Sequence, residues 1–90
     1  MHPQTCLSLV TEPSPYVLPR VFDLLARHGI VPARCHTRLE PPNAMHGEPT
    51  MTIDLQLGPV DARLARRIAT GLEAMVEVAD VLEGATCGAA

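Results

Sequence analysis

Apolar and polar positions alternate with a period of two in four stretches of the chain, and this period predicts β-strands. The stretches are residues 5–11, 30–39, 50–57 and 76–82. The alternation is cleanest in the third stretch, TMTIDLQL, which predicts one face in the core and the other toward solvent or a partner. The fourth stretch alternates imperfectly, so we expect a β-bulge there.

Two intervals between these stretches show a helical pattern, with apolar residues at steps of three and four. The first interval has the stripe Val17, Leu18, Val21, Leu24, Leu25 and His28, and the second has Leu64, Ala65, Ile68, Ala69, Leu72 and Met75. We expect the first helix to begin at Pro15, with Ser14 as its N-cap and Gly29 as its stop. Pro19 removes an early backbone donor, so regular pairing in that helix is expected to begin a turn late.

The second helix is expected to open at Gly58-Pro59, with Asp61 in its first turn. In the second strand, Pro32 predicts an edge position, because proline cannot donate to a neighbouring strand. The inward residues expected from its alternation, after Ile30 at its start, are Val31, Ala33, Cys35, Thr37 and Leu39.

The order strand–helix–strand, repeated twice, predicts an α+β protein. Right-handed crossovers place both helices on the same face of one sheet. The expected fold is therefore a ferredoxin-like βαββαβ sandwich with a four-stranded antiparallel sheet and two helices on one face. We expect a single domain over residues 1–90, with its core in 5–83, a mobile polar hairpin loop at 40–49 and a flexible tail at 84–90.

Composition narrows the possible partners. The 90 residues carry a net charge of −3 and only two aromatic residues, Tyr16 and Phe22, so nucleic acid is not an expected partner. No apolar run is long enough to span a membrane, and no secretory signal is present. Three cysteines, an odd number, together with the absent signal, predict a reducing compartment and hence a cytoplasmic location.

The stretch PYVLPRVFDLLARHGI, residues 15–30, resembles the start of an ACT domain, which typically reads PGxLxxVxxxLxxxGx. The matching positions are Pro15, Leu18, Val21, Leu25, Gly29 and Ile30. With its short length, its polar hairpin and its ending VEVADV, the chain is similar over residues 5–83 to the short small subunits of acetolactate synthase (acetohydroxyacid synthase).

The resemblance implies a non-catalytic regulatory or accessory subunit of a thiamine-diphosphate-dependent acetolactate synthase, in branched-chain amino acid biosynthesis. Its implied partners are a second copy, paired through the sheet edge, and the large catalytic subunit. The chain itself is expected to need no cofactor. The alternative is a free-standing ACT homodimer that senses an amino acid or another small metabolite.

ACT domains that bind an amino acid hold it between the first strand–helix elbow of one subunit and the second strand of its mate. The resemblance therefore implies a ligand site made of Glu12, Ser14, Pro15, Tyr16, Val17 and Leu18, with Arg34, Cys35 and His36 opposite. The family's elbow glycine is Tyr16 here, so we expect a structural corner whose ring fills the pocket and weakens amino-acid binding.

Three other interpretations have less support. A phosphate cradle of the acylphosphatase kind needs an arginine and several free backbone N–H groups, whereas this elbow has two prolines and no arginine before Arg20. Cys35 and His36 are adjacent on a strand and point to opposite faces, so no metal is expected, and the interpretation is a core Cys35 beside an exposed His36. The cluster of Arg63, Arg66 and Arg67 is interpreted as a solvated face, with docking on an acidic partner as the alternative.

Overall fold

The structure is a computed structural model that describes residues 4–84 of the chain. The elements, in order, are β1 (Gln4–Thr11), α1 (Val17–Arg27), β2 (Arg34–Glu40), β3 (Thr50–Pro59), α2 (Ala62–Glu73) and β4 (Val78–Gly84). The strands form one antiparallel sheet in the order β2-β3-β1-β4, and the two helices cover one of its faces. The expected ferredoxin-like sandwich is confirmed.

The core lies between the helices and the face of the sheet that the alternation predicted. On β3 the alternating residues Met51, Ile53, Leu55 and Leu57 are all buried. They pack with Leu7 and Leu9 of β1 and with the helical stripes, in which the buried residues are Val17, Val21, Leu25, Ala65, Ile68, Ala69 and Leu72. The apolar periodicity of both helices is therefore confirmed.

Helix α1 begins at Val17, and its N-cap is Tyr16; the expected start at Pro15 with Ser14 as the cap was wrong. The reason lies in Pro19, which lacks the donor that a helix begun at Pro15 would need at its first full turn. With the start at Val17, Pro19 falls in the first turn, where backbone N–H groups have no acceptor within the helix. The helix thus starts two residues after Pro15, which is less than the delay of one full turn that was expected.

The same helix ends as expected at Gly29. The Gly29 N–H donates to the Ala26 carbonyl at 3.0 Å, and the Ile30 N–H donates to the Leu25 carbonyl at 2.9 Å. This pair of bonds is a Schellman motif, which needs a residue with positive φ, and Gly29 has φ 71°. Because the motif fixes where the chain leaves α1, it also fixes the direction of the segment that leads to β2.

Gly29→Ala is expected to lower the free energy of unfolding by about 1–2 kcal/mol, because an L side chain is strained at positive φ. No heavy atom lies within 4 Å of the position of the added Cβ, so crowding adds nothing to this cost. Gly47→Ala is the matched control, since its added Cβ also has open space and Gly47 has no positive φ. Urea unfolding of both variants measures the difference, and equal effects would contradict the assignment.

In the second half of the chain, the end of β3 and the start of α2 differ from the expected positions. Gly58 and Pro59 belong to β3, and α2 begins only at Ala62. The N-cap is Asp61, whose carboxylate accepts the Leu64 N–H at 2.7 Å. This capping bond satisfies one of the free donors of the first turn, which explains why the helix starts after Asp61 and not at Pro59.

Strand β4 has the bulge that its imperfect alternation predicted. Val10 pairs with Asp80 and Thr11 pairs with Val78, which leaves Ala79 as the extra residue. The strand also runs on to Gly84, two residues beyond the expected end, while the rest of the expected tail, residues 85–90, and residues 1–3 lie outside the described residues.

Strand β2 is the edge of the sheet, as Pro32 indicated, but it begins at Arg34 and buries none of its expected inward residues. Val31 and Leu39 are 85% and 74% exposed, and Ala33, Cys35 and Thr37 are exposed as well. The alternation identified which residues share a face of β2. The two helices pack over the other strands, however, and leave these residues of β2 uncovered. The prediction of a core Cys35 was therefore wrong, whereas the exposed His36 is confirmed.

The cysteines differ in whether they form a disulfide bond. Cys6 is buried and disulfide-bonded, whereas Cys35 is a free thiol. The third, Cys87, lies outside the described residues. A disulfide-bonded Cys6 does not support the reducing compartment that the cysteine count predicted.

Candidate functional site

The elbow, residues 12–16, connects β1 to α1 and uses its own backbone donors. The Glu12 N–H donates to the Glu77 carbonyl at 2.9 Å, and the Ser14 N–H donates to the Glu12 carbonyl at 2.8 Å. The Tyr16 N–H donates to the Ser14 hydroxyl oxygen at 3.3 Å. Since Pro13 and Pro15 have no N–H, every backbone donor of the elbow is occupied, and the elbow offers no cradle of amides for a phosphate or carboxylate.

Tyr16 is 69% exposed, so its ring fills no pocket within one chain, and the expectation that it fills a pocket between two subunits stays a prediction. Its backbone has φ −87° and ψ −11°, a conformation open to any residue, so this position does not require glycine. Val17, by contrast, is fully buried in the core and cannot contact a ligand at the surface. Of the implied elbow residues, Glu12, Pro15 and Tyr16 are exposed, and Ser14 and Leu18 are partly buried.

A cleft of about 360 Å³ adjoins the elbow and is the candidate for a small-molecule site there. It lies between the end of β1, the loop before β3 and the bulge of β4. Its lining is Val10, Thr11, Glu12, Met45, His46, Gly47, Glu48, Pro49, Thr50 and Ala79. Glu12 is the one residue of the implied ligand site that lines it, and Glu48 adds a second carboxyl group.

The loop that closes this cleft is held by Asn43. Its side-chain oxygen accepts the N–H groups of Met45 and His46, both at 2.8 Å. The Asn43 N–H in turn donates to the His46 carbonyl at 2.8 Å. The sequence predicted only a mobile polar loop here, although asparagine at the start of a turn is a recognisable signal for such local bonds.

Arg34, Cys35 and His36, the implied other half of the site, lie at the far end of the sheet from the elbow. Arg34 pairs with Gln56, which pairs with Cys6, and Cys6 is five residues from the end of β1 at Thr11. Five strand residues span about 16 Å. One chain therefore does not bring the two halves together, and their meeting across two subunits stays a prediction.

The face of the sheet that points away from the helices carries a row of polar residues, which the sequence did not indicate. His36, Asp54 and Ser8 are direct neighbours on β2, β3 and β1. Asp54 is buried, and its carboxylate accepts a hydrogen bond from the Ser8 hydroxyl. Because the serine donates to a carboxylate and not to a histidine nitrogen, the row is not a nucleophile–base pair.

The thiol of Cys35 is less acidic than an ordinary cysteine. Burial of the thiol among neighbouring atoms is the main cause that raises its pKa, and the nearby Asp54 carboxylate raises the pKa further. A raised pKa lowers the thiolate fraction at neutral pH, so Cys35 is a poor nucleophile.

Asp54→Asn is expected to move the pH midpoint of Cys35 alkylation downward, because it removes the negative charge that opposes thiolate formation. The midpoint should stay above that of a free cysteine, since burial remains the main cause of the raised pKa. Asp80→Asn on β4 is the matched control and should leave the midpoint unchanged. Iodoacetamide labelling across pH, read by peptide mass spectrometry, measures both, and identical midpoints for the two variants would contradict the assignment.

Residues 4–84 contain no group of three or more His, Cys, Asp or Glu side chains placed to hold a metal ion. No helix within them is long and apolar enough to cross a bilayer.

No family model and no curated protein matches the sequence. Solved structures do match the fold. The chain is similar to the C-terminal domain of the MgtC protein from Mycobacterium tuberculosis, with a TM-score of 0.66 and 16% identity over 99% of this chain and 93% of that one. It is also similar to the regulatory subunit of aspartate kinase from Thermus flavus, with a TM-score of 0.54 and 16% identity over 92% of this chain. The chain spans about half the length of that subunit, 52%.

These similarities identify the class of fold. Both solved structures share the ferredoxin-like βαββαβ sandwich of this chain, whereas the resemblance of residues 15–30 to an ACT domain stays a prediction. At 16% identity, they do not extend to the activity or ligand of either protein.

Proposed function

We propose that the chain is a non-catalytic regulatory or accessory subunit of a thiamine-diphosphate-dependent acetolactate synthase, acting in branched-chain amino acid biosynthesis. The observation that carries the proposal is the ferredoxin-like fold, together with the residues of the elbow and α1 that resemble the ACT-domain motif. Leu18, Val21 and Leu25 pack in or against the core, and Gly29 ends the helix. The likeness to a regulatory subunit, that of aspartate kinase, supports the same role.

The non-catalytic part of the proposal is supported by the elbow and by the polar row. The elbow has no unoccupied backbone donor, and Ser8 is bonded to Asp54 and not to a base. The free cysteine of the described chain, Cys35, has a raised pKa. None of these groups is arranged to attack or protonate a substrate.

The subunit is proposed to be a homodimer joined through β2. One edge of β2 has no neighbouring strand in the single chain, and Leu39, which belongs to β2, is 74% exposed. Exposed edges of this kind readily pair with another strand. A symmetric pair would extend the sheet from four strands to eight.

Reconstitution with a large catalytic subunit tests the function. The purified chain is mixed with the large acetolactate synthase subunit encoded in the same genome, and the mixture is passed over a sizing column. We expect co-elution and a several-fold rise in acetolactate formation over the large subunit alone. Separate elution with unchanged activity would refute the proposed role.

The second candidate, a free-standing homodimer that senses a metabolite, is favoured by the cleft of about 360 Å³ at the elbow. A free amino acid would place its ammonium group near Glu12 or Glu48, but its carboxylate would find no backbone donor on the elbow. We therefore expect valine, leucine and isoleucine to bind the native chain weakly, with a Kd above about 1 mM.

Calorimetric titration of the native chain, Tyr16→Gly and Glu12→Gln measures this binding. Because Tyr16 is exposed, Tyr16→Gly should leave the weak affinity nearly unchanged, apart from a stability cost of about 0.5–1 kcal/mol. Tight, saturable binding to the native chain that is lost in Glu12→Gln would favour the sensor over the accessory subunit.

A further inference from the structure

An open groove of about 900 Å³ lies between α2, the end of α1 and β4. Its lining includes His28 from the end of α1, Arg63, Arg66 and Arg67 from α2, and Glu83 from β4. Arg66 and Arg67 lie three and four residues after Arg63, so all three fall on one side of the helix. The groove therefore combines a concave surface with a line of cationic groups.

The charge of the groove is opposite to that of the whole chain. Three guanidinium groups face a single carboxylate there, although the chain carries a net charge of −3. Arg66 binds that carboxylate, with 2.6 Å between its Nη1 and Glu83 Oε1. Arg63 and Arg67 have no ion pair with any residue in 4–84. In the groove, Arg66 thus binds a carboxylate of the same chain, whereas Arg63 and Arg67 have no carboxylate partner among residues 4–84.

The lining also has apolar surface between the charges. Ala62 and Gly71 contribute to it, and Gly71 permits α1 and α2 to pack closely. A Cβ at Gly71 would come within 2.9 Å of Leu24 Cδ1. A ligand that fits this groove therefore has both negative charge and apolar groups.

A small free anion is the less suitable ligand. The side chain of Arg66 is 65% exposed, so the groove lacks the desolvated donors that fix a single phosphate. An extended chain with several carboxylates can use separate arginines without needing a buried pocket.

We propose that this groove binds an acidic, amphipathic segment of a partner protein, with Arg63, Arg66 and Arg67 contacting its carboxylates. The inference depends on the proposed accessory role only in that the chain has a protein partner. Glu83 occupies Arg66 in the free chain and competes with the partner's carboxylate. Removing this competitor strengthens binding, and removing the unpaired arginines weakens it.

The test uses a short synthetic peptide of leucine and glutamate, with leucine at steps of three and four, and a control peptide with glutamine in place of glutamate. Nuclear magnetic resonance titration of the isotope-labelled chain follows the amides of α2 and His28. We expect saturable shifts there with the acidic peptide, weakened by salt, and none with the glutamine peptide. Arg63→Gln with Arg67→Gln should weaken the affinity about fivefold or more.

Arg27→Gln with Arg38→Gln is the matched control, because it removes the same charge from residues that do not line the groove. It should change the affinity less than twofold. Glu83→Gln should strengthen binding about two- to fivefold, a gain that a misfolded variant would not produce.

Equal weakening by both arginine pairs, or no gain from Glu83→Gln, would overturn the proposal. Inorganic phosphate or ATP that saturates the same amides more tightly than the acidic peptide would overturn it in favour of a small-anion site. Because the peptide titration uses no synthase subunit, its failure is separate from the failure of the reconstitution described above.

Discussion

Leu25→Ala is expected to lower the free energy of unfolding by about 2–5 kcal/mol, enough to leave much of the protein unfolded. Leu25 is 1% exposed and lies in the core between α1 and the sheet. Its truncation removes apolar contacts and leaves a cavity that the surrounding side chains fill only in part. A domain of 90 residues has little stability to lose, because its core is small relative to its surface.

Leu39→Ala is the matched control for Leu25→Ala, because it makes the same chemical change at a residue that is 74% exposed. In the isolated chain it should cost less than about 0.5 kcal/mol. Urea unfolding at low protein concentration compares the two variants. Similar losses would contradict the burial of Leu25 or the exposure of Leu39. A loss in Leu39→Ala that appears only at high concentration would indicate that a second copy covers this residue.

The contrast between these two leucines also explains which parts of the fold could be predicted from sequence. The period-two pattern of β3 and the steps of three and four in α1 and α2 correctly identified the buried face of each element, because each of these faces is covered in the fold. The pattern of β2 was just as regular, yet Leu39 is exposed. Alternation indicates which residues point the same way, but only the packing of the helices decides which strands they cover.

The start of α1 could be predicted only in part, because two local signals competed. Ser14 followed by Pro15 is a favourable N-cap and first position, whereas Pro19 cannot donate at the first full turn of that helix. The structure resolves the conflict by starting at Val17 with Tyr16 as the cap. A cap residue contributes about 1 kcal/mol, whereas an interior proline costs about 3 kcal/mol, so the proline has the larger effect.

The candidate site was harder to predict than the fold, because its parts are far apart in the sequence. The lining of the elbow cleft includes both Glu12 and Glu48, and the Ser8 hydroxyl donates to the Asp54 carboxylate. The second of these pairs depends on the register between β1 and β3, in which Ser8 lies opposite Asp54. A sequence pattern does not specify which residues of two distant strands lie opposite each other. The arginine cluster on α2 could be predicted from the sequence, but the groove that it forms with His28 and Glu83 could not.

The proposed pairing through β2 makes a second prediction with a large effect, the covalent locking of the dimer by one substitution. The strand has seven residues, Arg34–Glu40, and Thr37 is its central residue. A two-fold axis that lets all seven residues pair with the second copy passes through this centre. Thr37 then lies directly opposite Thr37 of the second copy, with a Cα separation of about 4.5–5.5 Å.

This separation falls within the range of about 4.4–6.8 Å that a disulfide bond needs. Thr37→Cys, made together with Cys35→Ser, is therefore expected to convert most of the protein to a covalent dimer on mild oxidation. A non-reducing gel measures the yield, with Cys35→Ser alone as the parent.

Leu82→Cys in the same Cys35→Ser background controls for chance collisions, because Leu82 is 62% exposed on β4 at the opposite edge of the sheet. It should yield little covalent dimer, since the proposed axis holds the two β4 strands far apart. Sedimentation of the parent at micromolar concentration completes the test. A monomer that does not cross-link would refute the edge pairing, whereas a dimer that cross-links only through Leu82→Cys would place the interface on β4. A dimer locked by Thr37→Cys would place the interface on β2, with the two β2 strands side by side at the centre of the extended sheet.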